Sequence, residues 1–253
     1  MLRRMVILET SLVVAVIVII KTAVHFAGLE IMQQNALFTS LIAGAIFLFG
    51  LILSGTLSEY KESDKMPAEF VASLESVAAE VRATQRKNPD YDGESALLVL
   101  ADISQAFRAS VNARDYDLVL DAVGGLTAVF AEMEENGGLP QYMSRVRNDQ
   151  ATLTRIALRI AHIDRTDFIP SARLLLQTIV WLVIAILVFT TIEPPYLALV
   201  LTAFVAFMFE YMLRLQSRLE RPFRPAGSTR DDVSLFLLKD FEARIREVAA
   251  SRA

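Results

Sequence analysis

No cysteine occurs in this chain of 253 residues, and histidine is limited to His25 and His162. Disulfides, iron–sulfur clusters and zinc sites built on thiolates or several imidazoles are thereby excluded, and no metal or other cofactor is expected. Also missing are a Gly-x-x-x-x-Gly-Lys phosphate loop, a Gly-x-Ser-x-Gly elbow and a His-Glu-x-x-His pair, so the residues offer no catalytic constellation and point away from an enzyme. Lys and Arg together number 25 against 29 Asp and Glu, a net charge of −4 that gives no reason to expect a nucleic-acid partner. Two short stretches, Gly28–Asn35 and Glu193–Pro195, lack any Lys or Arg and carry only Glu30 and Glu193.

What the sequence does have is apolar surface in excess. Hydrophobic residues make up 54% and charged ones 21%, with a mean hydropathy of +0.42, more than a water-soluble domain of this length carries. The excess is confined to two blocks, each long enough for two helical passes of about 20 residues through a bilayer core. The predicted spans are Met5–Gly28, Ala36–Leu57, Ala172–Ile192 and Pro195–Leu215. The connections within each block are too short to hold domains, so each pair reads as a tight hairpin. Lys21 and His25 interrupt the first apolar run and no Ala-x-Ala site follows, which makes it a span rather than a cleaved leader.

Basic residues flank the spans on one side only: Arg3 and Arg4, Lys61 and Lys65, Arg165 and Arg173, and Arg214, Arg218, Arg221 and Arg224. That asymmetry places both termini and the central segment in the cytoplasm. The expected architecture is an all-α integral membrane protein: a transmembrane hairpin over residues 1–57, a helical cytoplasmic domain over 58–170, a second hairpin over 171–216 and a tail over 217–253. The central segment divides into about four helices at Asn88–Gly93, Asn112–Asp115 and Glu135–Pro140, with Asp92 placed to cap the helix after the first break. Gly124-Gly125 reads as helix packing, and Pro170 as a kink or break before the third span. In the tail, Ser228 or Thr229 is expected to cap an amphipathic helix with Asp231 and Asp232 in its first turn and an apolar stripe of Val233, Phe236, Leu237, Phe241 and Ile245. Such a stripe must be covered, by the central helices or by a neighbouring subunit.

Several short stretches resemble one family. Leu57-Ser58-Glu59-Tyr60-Lys61-Glu62 and Met66-Pro67-Ala68-Glu69 are similar to the Asp-Tyr-Lys-Glu and Leu-Pro-x-Glu wording of the bacterial bestrophin-like membrane proteins, and Leu219-Glu220-Arg221-Pro222-Phe223 is similar to the Asp-Arg-Pro-Phe that follows their last span. Ile169-Pro170 ahead of a span containing Trp181 fits the same pattern, as does the layout of two spans, a long helical insert and two more spans. Arg224 stands where the family usually has Gly, and neither the N-terminal motif of true bestrophins nor an acidic calcium clasp is present. The resemblance implies a symmetric homo-oligomer, a pentamer, in the inner (plasma) membrane of a bacterium, with an axial path for inorganic ions, preferentially anions such as chloride. It further implies that the Arg221, Pro222 and Phe223 turn lies near a gate.

Three sets of residues have two readings each. Lys21 is costly within a span, at about 2.5–3.5 kcal/mol at the helix centre. It either forms, with His25 one turn outward, a cationic ring that attracts anions to an outer mouth, or snorkels its ammonium to the headgroups. On the second span, Ser40, Gly44, Phe47, Leu51, Ser54 and Ser58 share a face. Either the small-residue pairs Ser40 with Gly44 and Gly50 with Ser54 let helices approach closely, or the face lines a pore with Phe47 and Leu51 as an apolar constriction. Glu9 and Glu210 read as interfacial carboxylates with Arg4 or Arg214 as partners. The rival function is a non-conducting scaffold or sensor whose cytoplasmic helices bind a protein partner; a small transporter is disfavoured because paired broken spans are missing.

Overall fold

The computed structural model describes residues 2–165, 170–224 and 232–250, without the side chains of residues 2–6 and 170. Ile169, Ser228, Thr229 and Asp231, used above for resemblance and capping, lie outside that description, as do the side chains of Arg3 and Arg4, used for orientation. The chain divides into two compact units, residues 1–60 with 167–220 and residues 61–166 with 221–253.

The first unit holds α1 (Leu2–Phe26), the start of α2 (Ala36–Lys87), α7 (Pro170–Phe189) and α8 (Pro195–Leu219), which among the described residues are the four helices long and apolar enough to cross a membrane. A proline at the first position of a helix removes an N–H that would have no partner there, and both α7 and α8 begin in that way. Packing is closest between α1 and α8, α1 and α7, and α7 and α8, and α2 joins them more sparsely. The nine residues between α1 and α2 include β1 (Met32–Gln33), which pairs in parallel with β2 (Thr190–Thr191) after α7, Met32 opposite Thr190. The unit's core is Ile17, Val180, Val183, Ala206 and Phe209, joined from α2 by Ala45 and Phe49; the Phe49 and Phe209 rings lie 6.4 Å apart.

In the second unit the rest of α2 is followed by α3 (Gly93–Ala113), α4 (Asp117–Gly124), α5 (Leu126–Glu135) and α6 (Pro140–Arg165), and later by α9 (Phe236–Ala250). Beyond the expected end of the second span at Leu57 the chain runs on as one helix through Pro67, because no glycine or turn sequence breaks it between there and Asn88, and the two units divide at Tyr60 within it. Gly124-Gly125 ends α4 and starts α5, so what reads as packing glycines is a helix break.

The other breaks act as the sequence suggests. Asp92 accepts a hydrogen bond from the Ser95 backbone N–H at 3.0 Å and caps α3. That bond and a second from the Ser95 hydroxyl hold its carboxyl below the ordinary carboxylate range, despite the opposing effect of slight burial. The cap is therefore complete above the ordinary carboxylate pKa and is lost as pH falls through the lowered one. Asp92→Ala should cost about 1 kcal/mol of stability at neutral pH, seen as a lower thermal midpoint whose deficit shrinks in acid; a deficit independent of pH would contradict this account. The turns at Asn88 and Gly137 are clipped together, Lys87 Nζ donating to Gly137 O at 2.6 Å and Asn88 Nδ2 to Asn136 Oδ1 at 2.9 Å.

The tail helix starts later than expected. Asp232 and Val233 precede it, because the Val233 N–H donates to Pro222 O at 2.9 Å and holds that strand of chain out of helical geometry. Of the expected stripe, Phe241 and Ile245 face inward, joined by Leu238 and Ala249, and Val233 is buried ahead of the helix, while Phe236 is exposed. α9 packs on α3, where the Ser104 hydroxyl donates to Leu238 O at 2.8 Å and Arg246 pairs with Asp102 at 2.8 Å. The stripe is thus covered within its own unit.

Candidate functional site

The spacing of small and apolar residues along α2 matters only if the subunit itself leaves that face open. It does. Ser40, Gly44, Phe47, Leu51, Ser54 and Ser58 are all exposed, Phe47 by 71% and Leu51 by 62%, whereas the opposite face, Ala45, Phe49 and Thr56, is buried. A methyl group placed on Gly44 or Gly50 would meet nothing within 4 Å. Close approach of another helix of the same subunit is therefore not what these glycines serve. Of the four apolar helices α2 is also the least covered, with 11% of its most apolar window buried against 22–33% in the others.

At the end of α1 where the short connections lie, Lys21 is enclosed. Its side chain is 1% exposed, and Nζ donates to Glu30 Oε1 at 2.5 Å, Thr190 O at 2.6 Å and Val188 O at 3.2 Å. An ammonium has three N–H donors, and all three have acceptors here. The stem is covered by protein, so it does not reach through lipid to the headgroups, and the charge is balanced inside the subunit. His25 remains at the surface, its Nδ1 3.1 Å from Glu30 Oε2. Partial burial opposes ionisation of Glu30, but hydrogen bonds and charge from Lys21 and His25 outweigh it and hold the carboxyl below the ordinary carboxylate range. His25, Glu30, Thr191, Glu193 and Pro194 border an open cavity of about 430 Å³.

This cage was missed in the sequence. Glu30 stands nine residues from Lys21 and was readable as a partner, but the carbonyls of Val188 and Thr190 belong to backbone that any residue would supply. At the opposite ends of the helices Arg214 lies between two carboxylates, Glu9 at 2.5 Å and Glu210 at 2.9 Å, so both interfacial acids share one guanidinium.

The Arg221-Pro222-Phe223 turn belongs to the second unit. Pro222 and Phe223 are buried and Arg221 is exposed; the Pro222 carbonyl holds Val233, tying the turn to the approach to α9. Among the described residues no group of three or more His, Asp or Glu is placed to hold a metal ion.

No protein-family model and no curated protein matches this sequence. Solved structures do match the fold. A bacterial bestrophin homologue from Klebsiella pneumoniae superposes with a TM-score of 0.73 at 18% identity, over 97% of this chain and 98% of that one. Two point variants of the Klebsiella pneumoniae protein give 0.75 at 17% identity over 96% and 99%, and 0.71 at 15% identity over 99% and 100%. End to end, four apolar helices with a helical insert and a closing helix, this chain has the fold of the bacterial bestrophin homologues.

Proposed function

We propose that copies of this chain assemble in a bacterial inner membrane into a symmetric oligomer, five-fold as the family resemblance implies, with an ion pathway along its axis. The observation that carries this reading is the open face of α2: it runs the length of the span, it is not used within the subunit, and it sets Phe47 and Leu51 midway between Ser40 and Ser54. An apolar helix left this bare needs either lipid or other copies of itself, and a face of small polar residues suits a wet path better than lipid.

In this reading the two hairpins span the bilayer with both termini and the insert in the cytoplasm, as the placement of Lys and Arg supports. The Arg221, Pro222 and Phe223 turn sits near the gate, and its buried Pro222 and Phe223 anchor the tail that would report on it. Anions remain the favoured permeant ions on the family resemblance. The outer mouth lends that preference only His25, since Lys21 acts there by fixing Glu30 and the connections rather than by presenting its own charge.

Purified protein in a planar bilayer tests the reading. Single-channel currents are expected, and in a tenfold KCl gradient the reversal potential should lie towards the chloride equilibrium value. A reversal towards potassium would keep the pathway and remove the anion preference. Silence at all voltages in several salts would sink the pathway and favour the scaffold, whose partner would bind the cytoplasmic helices.

A further inference from the structure

The positions that make up the open face of α2 step along the helix by four and three residues, from Ser40 through Phe47 and Leu51 to Ser58, and α2 continues as one helix to Lys87. The next two positions at that spacing are Lys61 and Lys65. Both are exposed, and among the described residues neither makes an ion pair or a hydrogen bond. The opposite side of the same turns, Ser63, Met66 and Phe70, is buried. Two ammoniums one turn apart, about 6 Å along the helix, thus stand free on a single face.

The side chains around them leave that charge in excess. Glu62, at the edge of the face, is answered by Arg159 at 2.8 Å. Glu59 and Asp64 fall on other sides of the helix by their spacing. Glu69 follows one turn after Lys65, beyond Pro67, so the face carries two exposed ammoniums against one exposed carboxylate. Other basic residues that flank the spans are taken up by carboxylates: Arg214 is held by Glu9 and Glu210, and Arg173 lies 3.8 Å from Glu220. A lysine that served only to orient the chain could stand on any side of α2. These two share one side at a four-residue spacing, where like charges weaken a helix slightly, a cost that topology alone does not require.

We infer that in the assembled oligomer Lys61 and Lys65 form two successive rings of positive charge at the cytoplasmic mouth of the pathway, and that these rings select small inorganic anions as the permeant ions. The inference rests on the α2 face lining the axis and deepens that reading by naming the residues that choose the sign of the ion. Phe47 and Leu51 have no charge with which to make that choice; they control wetting. Ammoniums gathered from every copy around one confined mouth add their fields, which raises the local concentration of anions and depletes cations.

Currents of the purified protein in a planar bilayer are measured in a KCl gradient at low total salt. For Lys61→Glu combined with Lys65→Glu the chloride-to-potassium permeability ratio should fall about tenfold or more, the scale on which a charged cleft concentrates its counter-ion. Lys61→Arg combined with Lys65→Arg should keep the ratio of the parent. The difference should shrink at about 1 M salt, where fields are screened within about 3 Å. Because the chain has no native cysteine, Lys65→Cys allows the charge to be set on protein already folded. A thiol reagent carrying an ammonium, added to both chambers, should restore the anion preference, and one carrying a sulfonate should lower it further. A ratio that ignores charge reversal, or that responds alike to the two reagents, in channels that still conduct, overturns the inference and leaves the pathway standing. Silence of the parent protein removes the pathway and the inference with it.

Discussion

Lys21→Met should lower the thermal midpoint of the purified protein by on the order of 10 °C. The substitution keeps the stem and removes three donors at once, leaving Glu30 Oε1, Thr190 O and Val188 O facing one another across a buried space. Breaking a buried ion pair from one side costs about 3–5 kcal/mol, chiefly because the surviving charge is stranded, and for a chain of this size each kcal/mol moves the midpoint by about 2–4 °C. A matched Lys21→Met, Glu30→Gln double variant should recover part of the loss, since it no longer strands a carboxylate; the shortfall from additivity measures the pair. Glu30 also gives the effect a pH signature. Its carboxyl is held below the ordinary range, so the stabilisation is present at neutral pH and disappears as pH falls through the lowered value, where parent and Lys21→Met should converge. A midpoint within about 2 °C of the parent at neutral pH would show that the cage is not what secures these connections.

Phe47→Ala should open the proposed pathway. A ring of such side chains in a narrow neck repels water, and ions cannot follow where water does not stand; removing the rings lets the neck wet, so conductance or open probability should rise several-fold or more. The competing expectation is specific. Were Phe47 a packing residue inside the subunit, its loss would cost about 3–5 kcal/mol; its 71% exposure within the subunit leaves no such core to damage. The absence of native cysteine makes a second test simple. A single cysteine at position 47 or 51 should react with small aqueous thiol reagents and be blocked, whereas one at position 49, on the buried face, should not. Reactivity at 49 with protection at 47 and 51 would reverse the assigned face.

The spans were legible because a bilayer imposes length and composition together, and four stretches of about 20 predominantly apolar residues meet both demands. The Asp92 cap was legible because a single side chain, at a fixed offset from the N–H it accepts, carries the signal. Three features were hidden for equally physical reasons. The Lys21 cage is completed by main-chain oxygens, which have no letter in the sequence. The pairing of β1 with β2 involves two residues each, too few for alternation to register. The late start of α9 follows from a single backbone bond, Val233 N–H to Pro222 O, which the side chains do not announce, while Phe241 and Ile245 keep the inward places their spacing suggests. The α2 face stands between these cases: its spacing was visible, but its exposure follows from the sparse cover that α2 receives in its unit, and a sequence does not state which helices are neighbours.

The order of synthesis divides the Lys21 cage into an early and a late half. Glu30 follows Lys21 by nine residues and leaves the ribosome almost with it, so the first apolar segment can enter the bilayer with its ammonium already matched to a carboxylate as a locally neutral pair. The two carbonyls come 167 and 169 residues later, after the whole insert has been made. Until then the ammonium has donors without acceptors, a standing bias of the unfinished subunit towards the segment that supplies them. The same lysine that burdens insertion therefore acts afterwards as a docking address, favouring the arrival of α7 beside α1 over its loss to lipid or to the wrong neighbour.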